Sequence, residues 1–340
     1  QSHNYNASLD LLGNENRQWN INFGYRILNI ERKDISKAEA DKTITGRTEY
    51  NFKEWNGFVN GNLLYEIGGG REQKKDFAYV AVPVGQGIYT WIDYNSNGIE
   101  ELNEFETAVF QDQKKYIRVY TPTNEFQKAN YLQLNYTLEI SPEQLIKKSN
   151  NALSNFLSRI QMMSSMQLLK KAVAKESLLI NPFQSNIGDT DLITNNSFYS
   201  NSFYFNRNST KWGLDVNQNV SKAKSFLSYG IELNENKTYK SRLRINMSRK
   251  WIGNLDITLA EKKLQSNGFS FNNRNYLIDQ LAYEPSLSYI YKAIFRGTIA
   301  IGFVKNENRI DSMEKSQAFS FTSRIKYNVF SKSTIDAKLT

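Results

Sequence analysis

The chain has 340 residues, with 43 Lys and Arg against 34 Asp and Glu, and a formal net charge of +9. It has no cysteine and a single histidine, His3, which excludes disulfides and thiol chemistry and argues against a catalytic triad or a multi-histidine metal centre. Aromatic residues make up 13% of the chain, which argues against disorder. The basic residues are spread along the whole chain, so we expect no nucleic-acid partner.

Apolar and polar residues alternate along most of the chain, the period of strands with one apolar face. The longer alternating runs have about 9 to 13 residues, more than a typical soluble strand and close to the length that crosses a bilayer at a tilt. No stretch approaches the length of a transmembrane helix. In chain order, the clearest runs are 19–27, 55–67, 132–140, 227–233, 243–247, 255–259, 287–291, 295–303 and 319–329.

The connections between the runs are either tight polar turns, as at Asn234–Lys237, or much longer polar segments. Four tryptophans lie near the ends of runs: Trp19, Trp55, Trp212 and Trp251. Short inner turns, long outer loops and aromatic girdles are typical of outer-membrane barrels. The sequence therefore predicts an all-β fold: an antiparallel transmembrane β-barrel, or a large part of one, with about 14–16 long strands in a single segment over residues 1–340.

Two segments allow more than one interpretation. Residues 141–176 have few helix breakers after Pro142, but the apolar residues share one parity, which favours a helical turn near Pro142–Lys148 followed by a long strand. Gly68–Gly70 lacks the spacing of a phosphate-binding loop and is interpreted as a strand end. A soluble sandwich or propeller remains the alternative to the barrel, although long runs and few Gly and Pro residues count against it.

Residues 68–127 interrupt the alternation and are predicted to form a long extracellular loop. Inside it, residues 93–104 match the calcium-binding pattern D-x-[DN]-x-[DN]-G-x₅-E at every specified position. Hard oxygen ligands without His or Cys favour Ca²⁺ over transition metals. The predicted ligands, in order, are Asp93, Asn95, Asn97, the Ile99 carbonyl, Glu101 through water, and bidentate Glu104.

The alternative is an Asn-Gly turn that satisfies the pattern in an asparagine-rich chain. Position 8 of the loop, usually apolar, is Glu100, and no helix pair flanks the loop. We therefore expect an isolated structural ion that orders the loop rather than a sensor, with Glu106 as a substitute ligand.

Part of the amino-acid sequence resembles a known group of proteins. The stretches concerned are Leu64–Gly68, Val82–Asn95, Leu102–Glu106 and Lys115–Pro122. They resemble large uncharacterised cell-envelope proteins of the Bacteroidota, whose barrels are similar in style to that of the type 9 secretion translocon. The resemblance covers roughly residues 60–140. It implies an outer-membrane location, a signal peptide and further domains outside this chain, and it implies no catalytic residues.

The expected function is non-enzymatic: transport, export or assembly, or an envelope scaffold in the bacterial outer membrane. The expected partners are outer-membrane lipid, lipopolysaccharide and other envelope proteins, with Ca²⁺ as a structural ion. The alternative function is a secreted, soluble Ca²⁺-binding β protein, such as an adhesin or a glycan-binding module. A barrel-embedded hydrolase is a third class, but the lone His3 makes its active site hard to build.

Overall fold

The computed structural model describes residues 2–30, 41–108, 110–146, 151–174, 179–183, 192–227, 230–266, 275–292, 294–310, 314–329 and 333–339. Within these ranges the chain is mostly β-strand, with one α-helix, α1 (Ala152–Leu157), and four single-turn 3-10 helices. None of these helices has the length and hydropathy needed to cross a bilayer. The predicted all-β class is confirmed.

Thirteen of the described strands have 12 to 25 residues. The others are the short hairpin strands β5 and β6 and the seven-residue β16. The strands are β1 (Ser2–Asn14), β2 (Arg17–Leu28), β3 (Asp41–Glu54), β4 (Val59–Ala81), β5 (Tyr89–Trp91), β6 (Phe105–Thr107), β7 (Tyr116–Ile140), β8 (Ile160–Val173), β9 (Leu192–Phe205), β10 (Trp212–Leu227), β11 (Gly230–Asn246), β12 (Trp251–Ser266), β13 (Tyr276–Tyr291), β14 (Phe295–Asn308), β15 (Lys315–Val329) and β16 (Ser333–Leu339).

The strands form one antiparallel sheet in chain order, with β4 followed directly by β7 and with β5 and β6 beside it. Within the described ranges, β1 pairs only with β2 and β16 only with β15. The sheet is therefore open, and within the described ranges it does not close into the predicted barrel. Its two edge strands run in opposite directions, the orientation that antiparallel closure requires.

The pairing register gives the sheet two chemically distinct faces from β1 to β15. Residues directly opposite each other on neighbouring strands point to the same face. Trp19 pairs with Tyr50, Tyr50 with Leu63, and Leu63 with Tyr136, so one face is apolar along this row. We call this side the apolar face and the opposite side the polar face.

The connections differ between the two ends of the sheet. At the end we call the short-loop end, most connections are tight, as between Asn14 and Arg17; the exception is 141–159, which carries α1. The opposite long-loop end carries segments 29–40, 82–115 and 174–191, and its one tight connection joins β10 to β11. The predicted difference between short connections at one end and long connections at the other is present, except for 141–159 and for the connection of β10 to β11.

The predicted tight turn at Asn234–Lys237 is wrong, because these residues lie inside β11. Glu235 and Lys237 find ionic partners on the neighbouring strands, Lys222 and Glu261, so polar residues continue the strand there. The predicted helical turn after residue 141 is present at Pro142–Gln144, followed by α1 and then by β8.

The glycine run 68–70 is not a strand end, since β4 continues to Ala81. Gly68 lies against the ring of Tyr131 on β7, where a Cβ would come within 2.7 Å of a ring carbon. The pairing of β4 with β7 also extends into the segment 68–127 that was predicted as a loop, and it ends where Ala81 pairs with Tyr116. The segment predicted as one loop is thus a hairpin extension of β4 and β7, here called the arm (71–81 and 116–128), with a tip at 82–115.

Candidate functional site

The apolar face carries a band next to the short-loop end. On five strands every second residue over nine positions is apolar or glycine; these residues are half-buried to exposed on β2, β12 and β14, as at Ile299, which is 52% exposed, and half-buried to buried on β4 and β7. Nine residues rise about 27 Å along a strand, which a tilt of 35–45° reduces to a height of about 20 Å. The five segments are 19–27 on β2, 59–67 on β4, 132–140 on β7, 251–259 on β12 and 295–303 on β14.

Aromatic side chains border this band at the short-loop end. Trp251 packs against Tyr289 with ring centroids 4.9 Å apart, and Trp19 packs against Tyr50 at 5.7 Å. Trp212 is the first residue of β10 and contacts Phe205 at 5.5 Å. Amphipathic aromatic rings favour the interface between lipid and water, so the border has the chemistry of a girdle.

Charged side chains border the same face toward the long-loop end. Lys222 lies 2.9 Å from Glu235, and Lys237 lies 2.8 Å from Glu261, so ion pairs link β10, β11 and β12. A further pair joins β14 to β15, where Lys315 lies 2.9 Å from Glu307. The apolar surface therefore ends in a paired ionic row within one strand length.

The polar face is lined by paired hydrogen-bonding side chains over the same strands. Arg242 on β11 donates to Asp256 on β12 at 2.7 Å, and the hydroxyls of Ser288 and Thr298 lie 2.9 Å apart. Charges and hydroxyls that satisfy each other across strands suit a wet surface rather than a dry core.

Two places depart from a simple apolar face. Asn201 and Gln218 lie within it on β9 and β10, where they bond to each other at 3.1 Å. Over β7 and β8 the face is covered by the segment 179–183, whose Leu179 packs with Leu132 and Leu168 in a buried cluster. The uninterrupted apolar surface thus lies mainly on β12–β15.

The arm leans across the polar face. Arg118 on its β7 strand donates to both carboxylate oxygens of Glu232 on β11, at 3.1 and 2.9 Å. β11 is the fourth strand from β7 in the sheet, about 19 Å away at ordinary strand spacing. The register of Glu232 with Ser225 and Ser266 places it on the polar face, so the arm bridges that face near the long-loop end.

A small aromatic core joins the arm to its tip. Phe105, 2% exposed, stacks on Tyr79 at 4.1 Å between ring centroids and meets Tyr116 edge-on at 5.0 Å. The Arg118 guanidinium lies 5.7 Å from the ring centre of Phe77 and 5.8 Å from that of Tyr89. The tip and the Arg118 anchor therefore share one packed cluster.

The candidate calcium loop lies immediately before this core. Asp93 accepts from the backbone amides of Asn97 and Gly98, at 3.2 and 2.9 Å, and the φ of Gly98 is +71°, as its sharp turn requires. The side-chain amides of Asn95 and Asn97 donate to the Glu101 carboxylate at 3.1 and 3.3 Å. The backbone amide of Ile99 donates to Asn97 Oδ1 at 2.7 Å, which folds the loop around its own oxygen atoms.

Glu104 is the most unusual residue of the loop because its side chain is fully buried. Its Oε2 accepts from Trp91 Nε1 at 2.8 Å and from the Glu101 amide at 3.3 Å, whereas Oε1 has no hydrogen-bond partner. A buried carboxylate oxygen without a partner is costly unless a cation neutralises it. The twelfth position of an oxygen-ligand calcium loop calls for this kind of group.

The predicted ligands fit a calcium ion by type, although the side chains are not gathered around a point. Within the described ranges, no three His, Cys, Asp or Glu side chains lie close enough to hold a metal ion. A site here would depend on the amide oxygens of Asn95 and Asn97 and on the Ile99 carbonyl as well as on the three carboxylates. Glu106, the predicted substitute ligand, instead accepts from the Tyr94 hydroxyl.

Sequence reasoning missed the arm and its anchor. Large aromatic residues, Phe77 and Tyr79, alternate here with the smaller Ala78 and Val80, and this was the available signal for a strand beyond the glycine run. Nothing in the sequence pairs Arg118 with Glu232, which are separated by 114 positions. Searches against protein families and against curated protein sequences find no match to this chain.

Proposed function

We propose that this chain forms a large part of the wall of a bacterial outer-membrane β-barrel and serves in transport, export or assembly, or as an envelope scaffold. The apolar face contacts the lipid, and the polar face lines a water-filled interior. The role needs no catalytic residue in this chain.

The apolar band is the observation that supports the proposal. It has the strand length of a bilayer crossing, it carries exposed apolar residues on β2, β12 and β14, and it ends in aromatic side chains on one side and in ion pairs on the other. A soluble protein rarely exposes a continuous apolar surface of this extent.

The unequal ends of the sheet orient the proposed wall. In outer-membrane barrels short turns face the periplasm and long loops face outward. The short-loop end, with Trp212 and Trp251, is then periplasmic, and the arm and its tip are extracellular. Lipid would contact the band, and the anionic groups of lipopolysaccharide would contact Lys222 and Lys237 of the charged row. The open edges at β1 and β16 require pairing with further strands, because unpaired backbone groups are not tolerated in lipid.

The tip is proposed to hold a structural Ca²⁺ ion. Asp93, Asn95, Asn97, Glu101 and Glu104 would supply side-chain oxygen atoms and Ile99 its carbonyl. The buried Oε1 of Glu104 supports this part of the proposal. The resemblance of residues 60–140 to Bacteroidota envelope proteins agrees with the proposed outer-membrane location.

Fractionation and electrophoresis of the full-length protein test the barrel. We expect the protein in the outer-membrane fraction, extraction only with detergent, and a shift in electrophoretic mobility between unheated and boiled samples. A monodisperse protein in buffer without detergent would contradict the proposal.

One observation favours the second candidate, a secreted soluble Ca²⁺-binding β protein. The segment 179–183 shields part of the apolar face over Leu132 and Leu168, as a covering segment does in a soluble protein. The same fractionation separates the two, since the soluble protein would be recovered from the medium without detergent.

A further inference from the structure

We infer that Ca²⁺ bound in the 93–104 loop holds the arm docked across the polar face, so that the ion decides whether the extracellular mouth is covered. This inference rests on the proposed barrel and on its calcium loop. It assigns the loop a regulatory effect beyond local order.

The first step is the charge of the loop. Residues 93–106 contain five carboxylates, at Asp93, Glu100, Glu101, Glu104 and Glu106, and no Lys or Arg. Like charges at this density repel each other, and burial of Glu104 adds a desolvation cost. A divalent cation offsets both terms, and it does so only in the folded loop that collects the oxygen ligands.

The second step is the contact from the loop to the arm. Glu104 is followed directly by Phe105, whose ring is stacked 4.1 Å from that of Tyr79. Because Glu104 and Phe105 are adjacent and both buried, a loop that releases Glu104 also withdraws Phe105 from this cluster. The loop is thereby tied to the β4 strand of the arm.

The third step leads from the aromatic cluster to the sheet. Tyr79 is directly opposite Arg118 in the β4–β7 register, and Arg118 lies over the rings of Phe77 and Tyr89 while it binds Glu232. The rings keep the guanidinium in the orientation that reaches β11. Loss of the cluster would free Arg118 from this orientation and weaken the anchor.

The linkage is reciprocal. If Ca²⁺ favours the docked arm, then docking must raise the affinity for Ca²⁺ by the same factor. Removal of the anchor should therefore weaken calcium binding without abolishing it, whereas removal of the ligands should abolish binding and release the arm.

Distance measurement between two spin labels in the full chain, in detergent or lipid, tests this directly. The chain has no cysteine, so Ala78→Cys on the arm and Gln265→Cys on β12 give a unique labelled pair at two exposed positions. A second pair, Gln265→Cys with Ser316→Cys, lies on the wall alone and is the control. Ca²⁺ itself is the titrant and a chelator removes it.

We expect one narrow Ala78–Gln265 distance in Ca²⁺ and its loss in chelator, with the control pair unchanged. Asp93→Asn with Glu104→Gln should give the chelator result even in Ca²⁺ and bind no calcium in calorimetry. Arg118→Gln should lose the narrow distance in Ca²⁺ while it still binds calcium with reduced affinity.

A narrow arm distance that survives chelation, or unchanged calcium affinity in Arg118→Gln, would overturn the inference. So would the absence of calcium binding in the unsubstituted protein. The absence of calcium binding would contradict the proposed calcium ion as well, whereas the first two results would overturn the inference alone. None of the three depends on whether the apolar face meets lipid, so failure here is distinguishable from failure of the barrel proposal.

Discussion

Arg118 and Glu232 form a bidentate ion pair between the arm and the fourth strand beyond it, with only 13% and 12% of their side chains exposed. Two groups this well shielded from water stabilise each other mainly because each would be costly alone. The pair ties the outer part of the arm to β11, whereas the ion pairs of Glu72 with Lys171 and of Lys128 with Asp41 hold the base of the arm to β8 and β3.

Removal of either partner should release the arm and leave the wall intact. We expect Arg118→Gln and Glu232→Gln each to lower the local stability of the arm by about 2–3 kcal/mol, read as faster amide exchange over 76–81. The double variant should cost less than the sum of the two single variants. Additive losses, or slower exchange in the variants, would contradict the pairing.

A charge on the apolar face should be far more damaging than the same charge one residue away. Leu287 lies on the apolar face between the band residues Gly253 and Ile299, and its neighbour Ser286 faces the polar side near Glu284. In lipid, Leu287→Arg should cost about 2–4 kcal/mol and Ser286→Arg about 0–1 kcal/mol, measured by denaturant unfolding of the reconstituted protein. Equal costs would show that both faces meet the same solvent.

Gly61 makes room for the ring of Phe52, its direct partner on β3. A Cβ there would overlap the ring, so Gly61→Ala should destabilise the protein by about 1–3 kcal/mol. Gly46→Ala on the same face is the control, because its Cβ would meet Ile67 at an ordinary 3.5 Å. Equal unfolding midpoints for the two variants would refute the steric account.

The hydrogen bond from the Tyr116 hydroxyl to Glu100, with burial and the charge of Glu100, raises the pKa of Tyr116 above its ordinary 10.0. The fold favours the neutral phenol, so the contribution of this solvent-screened hydrogen bond, about 0.5 kcal/mol, is complete below pH 10 and is lost as the pH rises through the raised pKa. The stability difference between the unsubstituted protein and Tyr116→Phe should therefore shrink at alkaline pH. A difference that is independent of pH would contradict this assignment.

Where a run of alternation was found, the face of the strand could be predicted from the sequence, since parity is a local property; β1, β3, β9 and β10 were not found in this way. Trp19, Leu134 and Ile257 lie on the apolar face as their alternation requires. Strand ends were less predictable. The polar residues Glu235 and Lys237 led to the wrong prediction of a turn, because their ionic partners, Lys222 and Glu261, lie on other strands and are not visible in the local sequence.

The calcium motif could be found from local spacing, but the arm that carries it could not. Its strands are interrupted by a register shift between Gln73 and Lys75, which breaks the alternation that pattern reasoning follows. The burial of Glu104 depends on Trp91 and on the aromatic core around Phe105, an arrangement that exists only after the hairpin has formed.

The most direct test of the barrel proposal is quenching by lipid on the two faces of one strand. Ile299→Cys and Thr298→Cys are neighbours on β14 with opposite faces, and each is labelled with a fluorophore in a membrane that contains brominated lipid. If the apolar face meets lipid, quenching is strong at position 299 and weak at 298, with the reverse order for a water-soluble quencher. Equal accessibility of both positions to the water-soluble quencher would contradict a lipid-facing wall.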